Sequence, residues 1–147
     1  MTQKCTPDDD GDAALAALRA MVFIGDATLA KVTGQLTLTQ FRALRTVADR
    51  TPVTMTRVAQ ELGLNPSSVT RACERLVSLD LVNRAQNPLN RRETLLAPTA
   101  RGRQIVEQVD ADRRAVLGSV LDRLPPQRRA AVLAAFRDFA TAASPES

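Results

Sequence analysis

The pattern of apolar and polar positions predicts a chain made mainly of helices. Between residues 12 and 32 apolar side chains recur at steps of three and four, as on one face of an amphipathic helix. Asp12 is suited to cap the start of this first helix, and Gly34 is suited to end it. Thr37, with a glutamine three residues later, resembles a capping box for a second helix that continues to about Asp49.

Two further helices follow, joined by a short turn. Thr54 is placed to cap the third helix, and Gly63 follows it where a positive φ would turn the chain sharply. Asn65 then offers a side-chain cap, and Pro66 occupies the first position of the fourth helix. With the small Ala59 where the two helices cross, this spacing predicts a helix-turn-helix, whose second helix enters the major groove of DNA. A purely structural helical hairpin is the alternative.

The pattern changes after the fourth helix. Residues 81–82 begin a strand, residues 87–90 are turn formers, and residues 93–97 form a return strand, which together predict a two-stranded hairpin, or wing. Thr99 is placed to cap a long fifth helix, and Pro125 and Pro126 separate that helix from a sixth. The predicted fold class is mainly α with a small β-hairpin wing (α+β), a winged helix-turn-helix with additional N- and C-terminal helices.

This order divides the chain into three parts. Residues 1–11, with their acidic run, are predicted to be a disordered tail. Residues 37–98 form the predicted winged helix-turn-helix DNA-binding region. Residues 12–36 and 99–147 remain as a helical dimerisation region that holds two such units together.

The net charge of +4 is concentrated in the predicted DNA-binding region. Residues 54–103 carry eight arginines against four acidic residues, while the rest of the chain has twelve basic and twelve acidic residues. A local basic surface beside a neutral body is the expected footprint of phosphate binding, although a solvated charged surface would have the same composition. The predicted DNA contacts are Asn65, Ser67, Ser68, Thr70, Arg71, Arg75, Arg84, Arg91 and Arg92.

Within this set Arg71 is the predicted base reader, since a guanidinium can form two hydrogen bonds to guanine. The two serines and Thr70 offer short hydrogen-bonding groups, with a bond to the start of their own helix as the alternative. Arg75 lies a turn later and is expected to meet phosphate or to pair with Glu74.

The composition gives little support to other chemistry. The chain has no histidine, the commonest proton shuttle and transition-metal ligand, so no enzymatic activity, metal or cofactor is predicted. Its two cysteines are too few for a disulfide scaffold, its acidic N-terminus does not resemble a secretion signal, and its uninterrupted apolar stretches are too short to span a membrane. These features predict a cytoplasmic protein without a membrane partner. Single-stranded nucleic acid is disfavoured because the four phenylalanines lie outside the basic stretch.

Cys73 admits two interpretations. Arg71 and Arg75 would lower the pKa of its thiol and make it a redox sensor. Its spacing from Val69 and Leu76 instead places it beside the buried face of the fourth helix, which favours a packing role.

These segments resemble the MarR family of winged-helix transcriptional regulators across nearly the whole chain. The resemblance is carried by LTLTQFRAL in the second helix, VAQELGLNPSSVTRACERLVSLDLVNR through the helix-turn-helix, and NRRETLLAPTARGRQIV across the wing and fifth helix. It implies an obligate homodimer in which the first, fifth and sixth helices intertwine. It also implies a wing-tip arginine in the minor groove, which suits Arg91 best and Arg92 second. A small-molecule pocket between the dimer helices and the winged unit is implied too, with Phe23, Phe41 and Leu44 as candidate lining residues and core packing as their alternative.

Two positions depart from the family pattern. Asn90 stands where the family usually carries an aspartate, so it cannot form the ion pair that an aspartate would make with Arg92. The stiffness of the wing would then depend on Glu93 as a substitute. Asp80 follows the fourth helix where the family often has glycine, and aspartate tolerates a left-handed conformation at some cost.

The predicted function is that of a homodimeric, sequence-specific transcriptional regulator of double-stranded DNA. It would be a repressor of a pseudo-palindromic operator that a small-molecule effector releases, with half-sites about one helical turn, or ~10 bp, apart. The alternative is a winged-helix module for protein interaction or for nonspecific DNA architecture, and an enzyme comes third.

Overall fold

The computed structural model describes residues 7–144, with side chains from Asp9 onwards. Within that range the fold is mainly helical with a small antiparallel sheet, which confirms the predicted fold class. The helices are α1 (Pro7–Thr33), α2 (Leu38–Arg50), α3 (Met55–Leu62), α4 (Pro66–Ser78), α5 (Ala100–Asp122) and α6 (Pro126–Ala143). The strands are β1 (Val53–Thr54), β2 (Val82–Asn87) and β3 (Asn90–Pro98).

The first helix begins earlier than predicted, at Pro7. Asp12, the predicted cap, lies inside α1. The prediction of a disordered tail over residues 1–11 is therefore wrong for residues 7–11, while residues 1–6 lie outside the described part of the chain. The physical reason is that proline is favoured at the first helical position and carboxylates are favoured in the first turn, so the same residues that suggested disorder also start a helix.

The other predicted helix boundaries agree with the local hydrogen bonds. Gly34 ends α1 with φ 54. Thr37 and Gln40 form the complete capping box, with Thr37 Oγ1 accepting from Gln40 N at 3.2 Å and Gln40 Oε1 accepting from Thr37 N at 3.1 Å. Thr54 caps α3 and Thr99 caps α5 in the same way, through a side-chain oxygen that accepts from a backbone amide. These helix ends are confirmed.

The wing sheet differs from the predicted two-stranded hairpin. A third strand, β1, pairs with β3 through Val53 and Leu96, which gives the strand order β1-β3-β2. The return strand starts at Asn90, three residues earlier than predicted, so the turn between the strands is only Pro88 and Leu89. Two-residue β1 carries no periodic pattern of its own, because it exists only through pairing with a distant strand.

The core of the described chain lies in the winged unit and at its joint with α5. Buried apolar side chains come mainly from α2, α4, the sheet and the first half of α5. α1 contributes Leu29 alone, and α6 contributes none. The largest fully buried side chains are Leu44, Leu76, Leu81, Leu96, Val47, Val58, Val69, Val82, Val109 and Cys73. The helices at the two ends of the chain therefore present their apolar surfaces outward.

α1 is also long and apolar enough to cross a membrane when judged by length and composition alone. The most apolar 18-residue window within Asp9–Thr33 has a mean hydropathy of 1.6, and only 11% of that window is buried. The prediction that no segment is long enough to span a membrane was based on uninterrupted apolar runs. The helix itself continues past the charged residues Arg19 and Asp26. The same composition is typical of a helix whose apolar face packs against another protein surface.

Candidate nucleic-acid interface

The turn between α3 and α4 sets the direction of the fourth helix. Gly63 has φ 61, a left-handed conformation that glycine adopts without steric strain, and Leu64 N donates to Ala59 O at 3.2 Å. Asn65 Oδ1 accepts from Ser67 N at 2.9 Å, so Asn65 caps α4 as predicted. These bonds give the helix-turn-helix that the spacing predicted.

Polar side chains line the exposed face of α4. Ser67, Ser68, Arg71 and Arg75 are all exposed. Within residues 9–144, no ion pair involves either arginine, so Arg75 does not pair with Glu74. The cationic groups of α4 are therefore available to an external anion.

Two predicted DNA contacts use their hydroxyl groups inside the helix instead. Ser67 Oγ donates to Asn65 Oδ1 at 2.8 Å, and Thr70 Oγ1 donates to Pro66 O at 2.9 Å. Thr70 is also half-buried. These are the helix-start bonds expected as the alternative, and they leave only hydroxyl lone pairs for a base. Among the predicted side chains of α4, Arg71 keeps its full donor capacity.

The wing carries three exposed arginines: Arg84 on β2, and Arg91 and Arg92 on β3. None of them forms an ion pair with another residue of the described chain. Arg84 and Arg91 border the same shallow depression on the wing. Successive residues of a strand point to opposite faces, so Arg91 and Arg92 project to different sides. Arg84 and Arg91 therefore lie close to each other at one depression of the wing.

Side chains near the turn stiffen the wing tip. Asn87 Oδ1 accepts from Leu89 N at 3.0 Å, and Asn87 Nδ2 donates to Glu93 Oε2 at 2.9 Å. Asn90 Oδ1 accepts from Arg92 N at 3.1 Å. Glu93 therefore stabilises the wing through Asn87 rather than through an ion pair with the Arg92 side chain. The wing tip is therefore stiffened without the ion pair that Asn90, in place of an aspartate, cannot form.

The base of the wing is fixed to the end of α4. Asp80 has φ 60, as expected for a residue that replaces glycine at this position. Its carbonyl oxygen accepts from Thr99 Oγ1 at 2.7 Å, and Leu81 N donates to Leu76 O at 2.9 Å. The wing and α5 consequently start from fixed positions relative to α4.

Arg50 of α2 and Arg57 of α3 share a single carboxylate. Glu61 Oε1 lies 3.1 Å from Arg57 Nε and 3.3 Å from Arg50 Nε. This carboxylate offsets one of the two positive charges at α2 and α3, whereas the arginines of α4 and the wing have no ion pair within the described residues. That distribution matches a surface that binds phosphate.

The three residues predicted to line a ligand pocket do not meet in the protomer. Phe23 is 74% exposed on α1, Leu44 is fully buried in the core, and Phe41 alone borders a cavity of about 210 Å³. The Cζ atoms of Arg45 and Arg113 lie 5.6 Å and 5.3 Å from the centre of the Phe41 ring. The cavity combines an aromatic ring with cationic groups, and Phe41 also fulfils the alternative of core packing.

This cavity adjoins the joint between α5 and the rest of the protomer. Arg45 Nη1 donates to Asp110 Oδ2 at 2.8 Å, and Arg45 Nη2 donates to Asp110 Oδ1. These hydrogen bonds hold the pKa of Asp110 below its ordinary value, although partial burial acts in the opposite direction. Arg113 Nε and Nη2 lie 3.3 Å from Thr28 Oγ1 and Gly25 O, to which they donate, and so tie α5 to α1.

Sequence reasoning missed this joint. Arg45 and Asp110 lie 65 residues apart on different helices, and neither stands in a local motif. Only covariation between the two positions or a structure would reveal the pair, because the periodicity of each helix marks them as ordinary polar positions.

Cys73 is fully buried, and burial raises the pKa of its thiol to about 11. The redox interpretation required arginines to lower that pKa, whereas full burial favours the packing interpretation. Among the residues described, no three side chains of Asp, Glu, His or Cys gather as a metal site would need.

Comparison with known proteins agrees with this geometry. The family model for MarR proteins matches residues 36–94, which span α2, the helix-turn-helix and most of the wing. The solved structure of RV1404 from Mycobacterium tuberculosis is 33% identical, with a TM-score of 0.88 over 99% of each chain. No curated protein sequence matches the chain.

Two more distant structures share the fold. FabT from Streptococcus pneumoniae, solved in complex with DNA, is 15% identical, with a TM-score of 0.76 over 92% of this chain and 96% of its own. BpsR from Bordetella bronchiseptica, whose DNA binding is regulated by 6-hydroxynicotinic acid, is 24% identical, with a TM-score of 0.59 over 85% of this chain and 91% of its own.

Proposed function

Since the chain belongs to the MarR family of DNA-binding transcriptional regulators, which are not enzymes, we propose that it acts as a homodimeric repressor of a pseudo-palindromic operator. Residues 37–98 bind DNA in this proposal, and α1 together with residues 99–147 forms the dimer. With two-fold symmetry, the recognition helices meet half-sites about one helical turn, or ~10 bp, apart. A small-molecule effector releases the operator.

The observation that carries the DNA contact is the set of unpaired arginines on α4 and the wing. Arg71 is exposed on a helix whose start is fixed by the Asn65 cap, so its guanidinium is presented to the major groove without competition from an internal carboxylate. Arg75 contacts phosphate one turn later. Arg84 and Arg91, which border one depression on the wing, follow the adjacent minor groove.

The dimer is supported by apolar surface that the protomer leaves uncovered. α1 exposes five large apolar side chains by 41% to 74%: Leu15, Leu18, Met21, Val22 and Phe23. α6 has no buried residue, and its Phe139 is 72% exposed. A second copy offers the same helices in return, as a two-fold interface requires. Burying them would add roughly 25 cal/mol for each Å² of apolar surface removed from water.

Effector release is supported by the position of the Phe41 cavity. The cavity lies where α2 of the winged unit meets Arg113 of α5, so a ligand there contacts both the DNA-binding and the dimerisation parts. A ligand that binds more tightly when the two recognition helices are mismatched to the operator shifts the dimer to that conformation. The ligand regulation of BpsR, a protein of the same fold, is consistent with such a device.

The test is an affinity measurement on duplex DNA selected from random sequence, with an unselected duplex of equal length as the comparison. Arg71→Ala should weaken binding to the selected duplex by roughly 1–3 kcal/mol and relax the preference at one base pair per half-site. Arg75→Ala is the matched control on the same helix. Because a phosphate contact carries no sequence information, its loss should weaken binding to the selected and the unselected duplex to the same extent.

Equal weakening of both duplexes by Arg71→Ala would contradict base recognition and would favour a nonspecific architectural protein. If the wild-type dimer shows no preference for any selected sequence, the repressor proposal fails as a whole.

A further inference from the structure

The tip of the wing is apolar. Leu89 is 96% exposed, more than any other large apolar side chain of the described residues. Pro88, its neighbour in the two-residue turn, is exposed as well. Polar residues or glycine usually occupy such a position in a turn. An exposed leucine there lowers solubility, and it gains no packing contact in the protomer in return.

The tip is held in one conformation even though nothing packs on it. Asn87 Oδ1 accepts from Leu89 N at 3.0 Å, and Gln86 Nε2 donates to Arg91 O at 2.8 Å, one bond on each side of the turn. The Asn87 side chain is itself fixed by Glu93 at 2.9 Å. Proline removes further freedom at residue 88. A partner could therefore bind Leu89 without the entropic cost of ordering the loop.

The surroundings of the tip indicate which partner fits. Arg84, Arg91 and Arg92 are exposed on the same hairpin and lack ion pairs within the described residues. An apolar point bordered by cations suits a partner that is itself apolar inside and anionic at its edges. The minor groove of DNA has this chemistry, with sugar and base surfaces between two rows of phosphates.

We infer that Pro88 and Leu89 form an apolar wedge that enters the minor groove and opens a base step there, while the flanking arginines hold the phosphates. This inference rests on the proposed function, because it needs the wing to lie on operator DNA. Leucine and proline are among the side chains that unstack base steps in bent minor-groove complexes. The wing then bends each half of the operator instead of only following its groove.

The wedge has a consequence for the operator sequence. Pyrimidine–purine steps such as TA unstack most easily, whereas runs of adenine are stiff. The operator should therefore carry a TA step under each wing tip, at a position where no side chain forms a hydrogen bond to a base. Arg91 is compatible with the same site, because its guanidinium can hold a phosphate at the edge of the groove while the step opens.

The experiment measures affinity and DNA bend on the selected duplex, with energy transfer between labels at its two ends. Leu89→Ala should lower affinity about tenfold or more and reduce the bend, while the dependence of affinity on salt keeps its slope. Leu89→Met, which restores a long apolar side chain, should recover both. Arg91→Ala is the matched control and should lower the salt slope by about one.

Changing the TA step to AA provides the second arm. This change should weaken the wild-type protein but leave Leu89→Ala almost unaffected, because the variant no longer gains from the flexible step. Thermal unfolding should be the same for Leu89→Ala and wild type, since the side chain packs against nothing in the protomer.

Unchanged affinity and bend for Leu89→Ala, with Arg91→Ala still weakened, would overturn the wedge and leave the proposed function intact. If both variants bind as the wild type does, the wing is not on DNA, and the wedge and the wing part of the proposed function fail together. If no duplex is selected at all, the proposed function fails first.

Discussion

Gly102 is the residue at which α5 touches the base of the wing. A Cβ at this position would lie 2.1 Å from the Leu81 carbonyl oxygen and 3.2 Å from Leu44 Cδ1. The carbonyl oxygen is not free to move, because it accepts from Thr99 N at 3.0 Å. Glycine is thus required at this position because the backbone of Leu81 lies against the backbone of α5. Thr99, which caps α5, is bonded to the same Leu81 carbonyl.

Gly102→Ala should lower the free energy of unfolding by about 1–3 kcal/mol or more, since backbone has to shift to admit the methyl group. Urea denaturation followed by circular dichroism measures the change. Gly118→Ala on the same helix is the control: nothing lies within 4 Å of its Cβ position, so the stability should rise by about 0.5–1 kcal/mol or stay unchanged. Equal effects of the two substitutions would show that the approach at Leu81 is looser than described.

At the scale of elements, ionic contacts join α5 to α2 of the winged unit and to α1. Arg45 of α2 pairs with Asp110 of α5, and Lys31 of α1 lies 3.3 Å from Asp112 Oδ2. Asp110 and Arg45 are both less than one-third exposed, so solvent screens their pair less than it screens Lys31, which is 75% exposed. The α2 to α5 pair is consequently the better shielded of these two ionic contacts.

Asp110→Asn should lower the free energy of unfolding by roughly 1–3 kcal/mol at neutral pH, as expected for loss of hydrogen bonds to a charged group. The folded-state pKa of Asp110 lies below the unfolded value of about 3.9, so its stabilisation is complete above that value and is lost as the pH falls through the folded pKa. The difference between wild type and variant should therefore shrink in acid. Unfolding curves recorded across this pH range measure it.

Asp122→Asn supplies the control for this pair. Asp122 also binds an arginine, Arg129, but its side chain is 63% exposed, so the substitution should change stability by no more than a few tenths of a kcal/mol. A wild-type minus Asp110→Asn difference that stays constant in acid would contradict the assignment of the stabilisation to the carboxylate.

At the scale of the whole molecule, the protomer is incomplete in its apolar burial. The core occupies the winged unit, while α1 and α6 place leucine and phenylalanine side chains outside it. An exposed apolar surface of this extent is typical of an interface. Helices from a second copy would cover it and would fix the distance between two copies of α4.

Leu18→Asp should shift the protein from dimer to monomer and weaken operator binding, because it places a carboxylate on the apolar face of α1, where the leucine is 57% exposed in the protomer. Analytical ultracentrifugation at micromolar concentration measures the oligomeric state. Arg71→Ala is the matched control, since it should weaken DNA binding while the dimer persists. A wild-type monomer at this concentration would refute the dimer.

The sequence alone determined the parts of this protein that depend on neighbours along the chain. The capping box at Thr37, the turn at Gly63 and the caps of α4 and α5 each involve residues a few positions apart, so residue type and spacing were enough to place them. The fold class and the DNA-binding assignment followed from these segments together with the local charge, and the family resemblance rested on the same segments. The DNA-contact residues themselves stay predictions.

Only the tertiary structure decided what depends on partners far apart in sequence. β1 exists because Val53 meets Leu96, the pKa of Asp110 is lowered because α2 meets α5, and that of Cys73 is raised because this side of α4 packs into the core. The exposure of Leu89 was also decided only by the tertiary structure. In the sequence, an apolar residue in a turn is as compatible with packing against the protein as with projection into solvent. Burial, pairing and exposure are properties of surfaces in contact, and a one-dimensional pattern records which residues can make such contacts but not which ones meet.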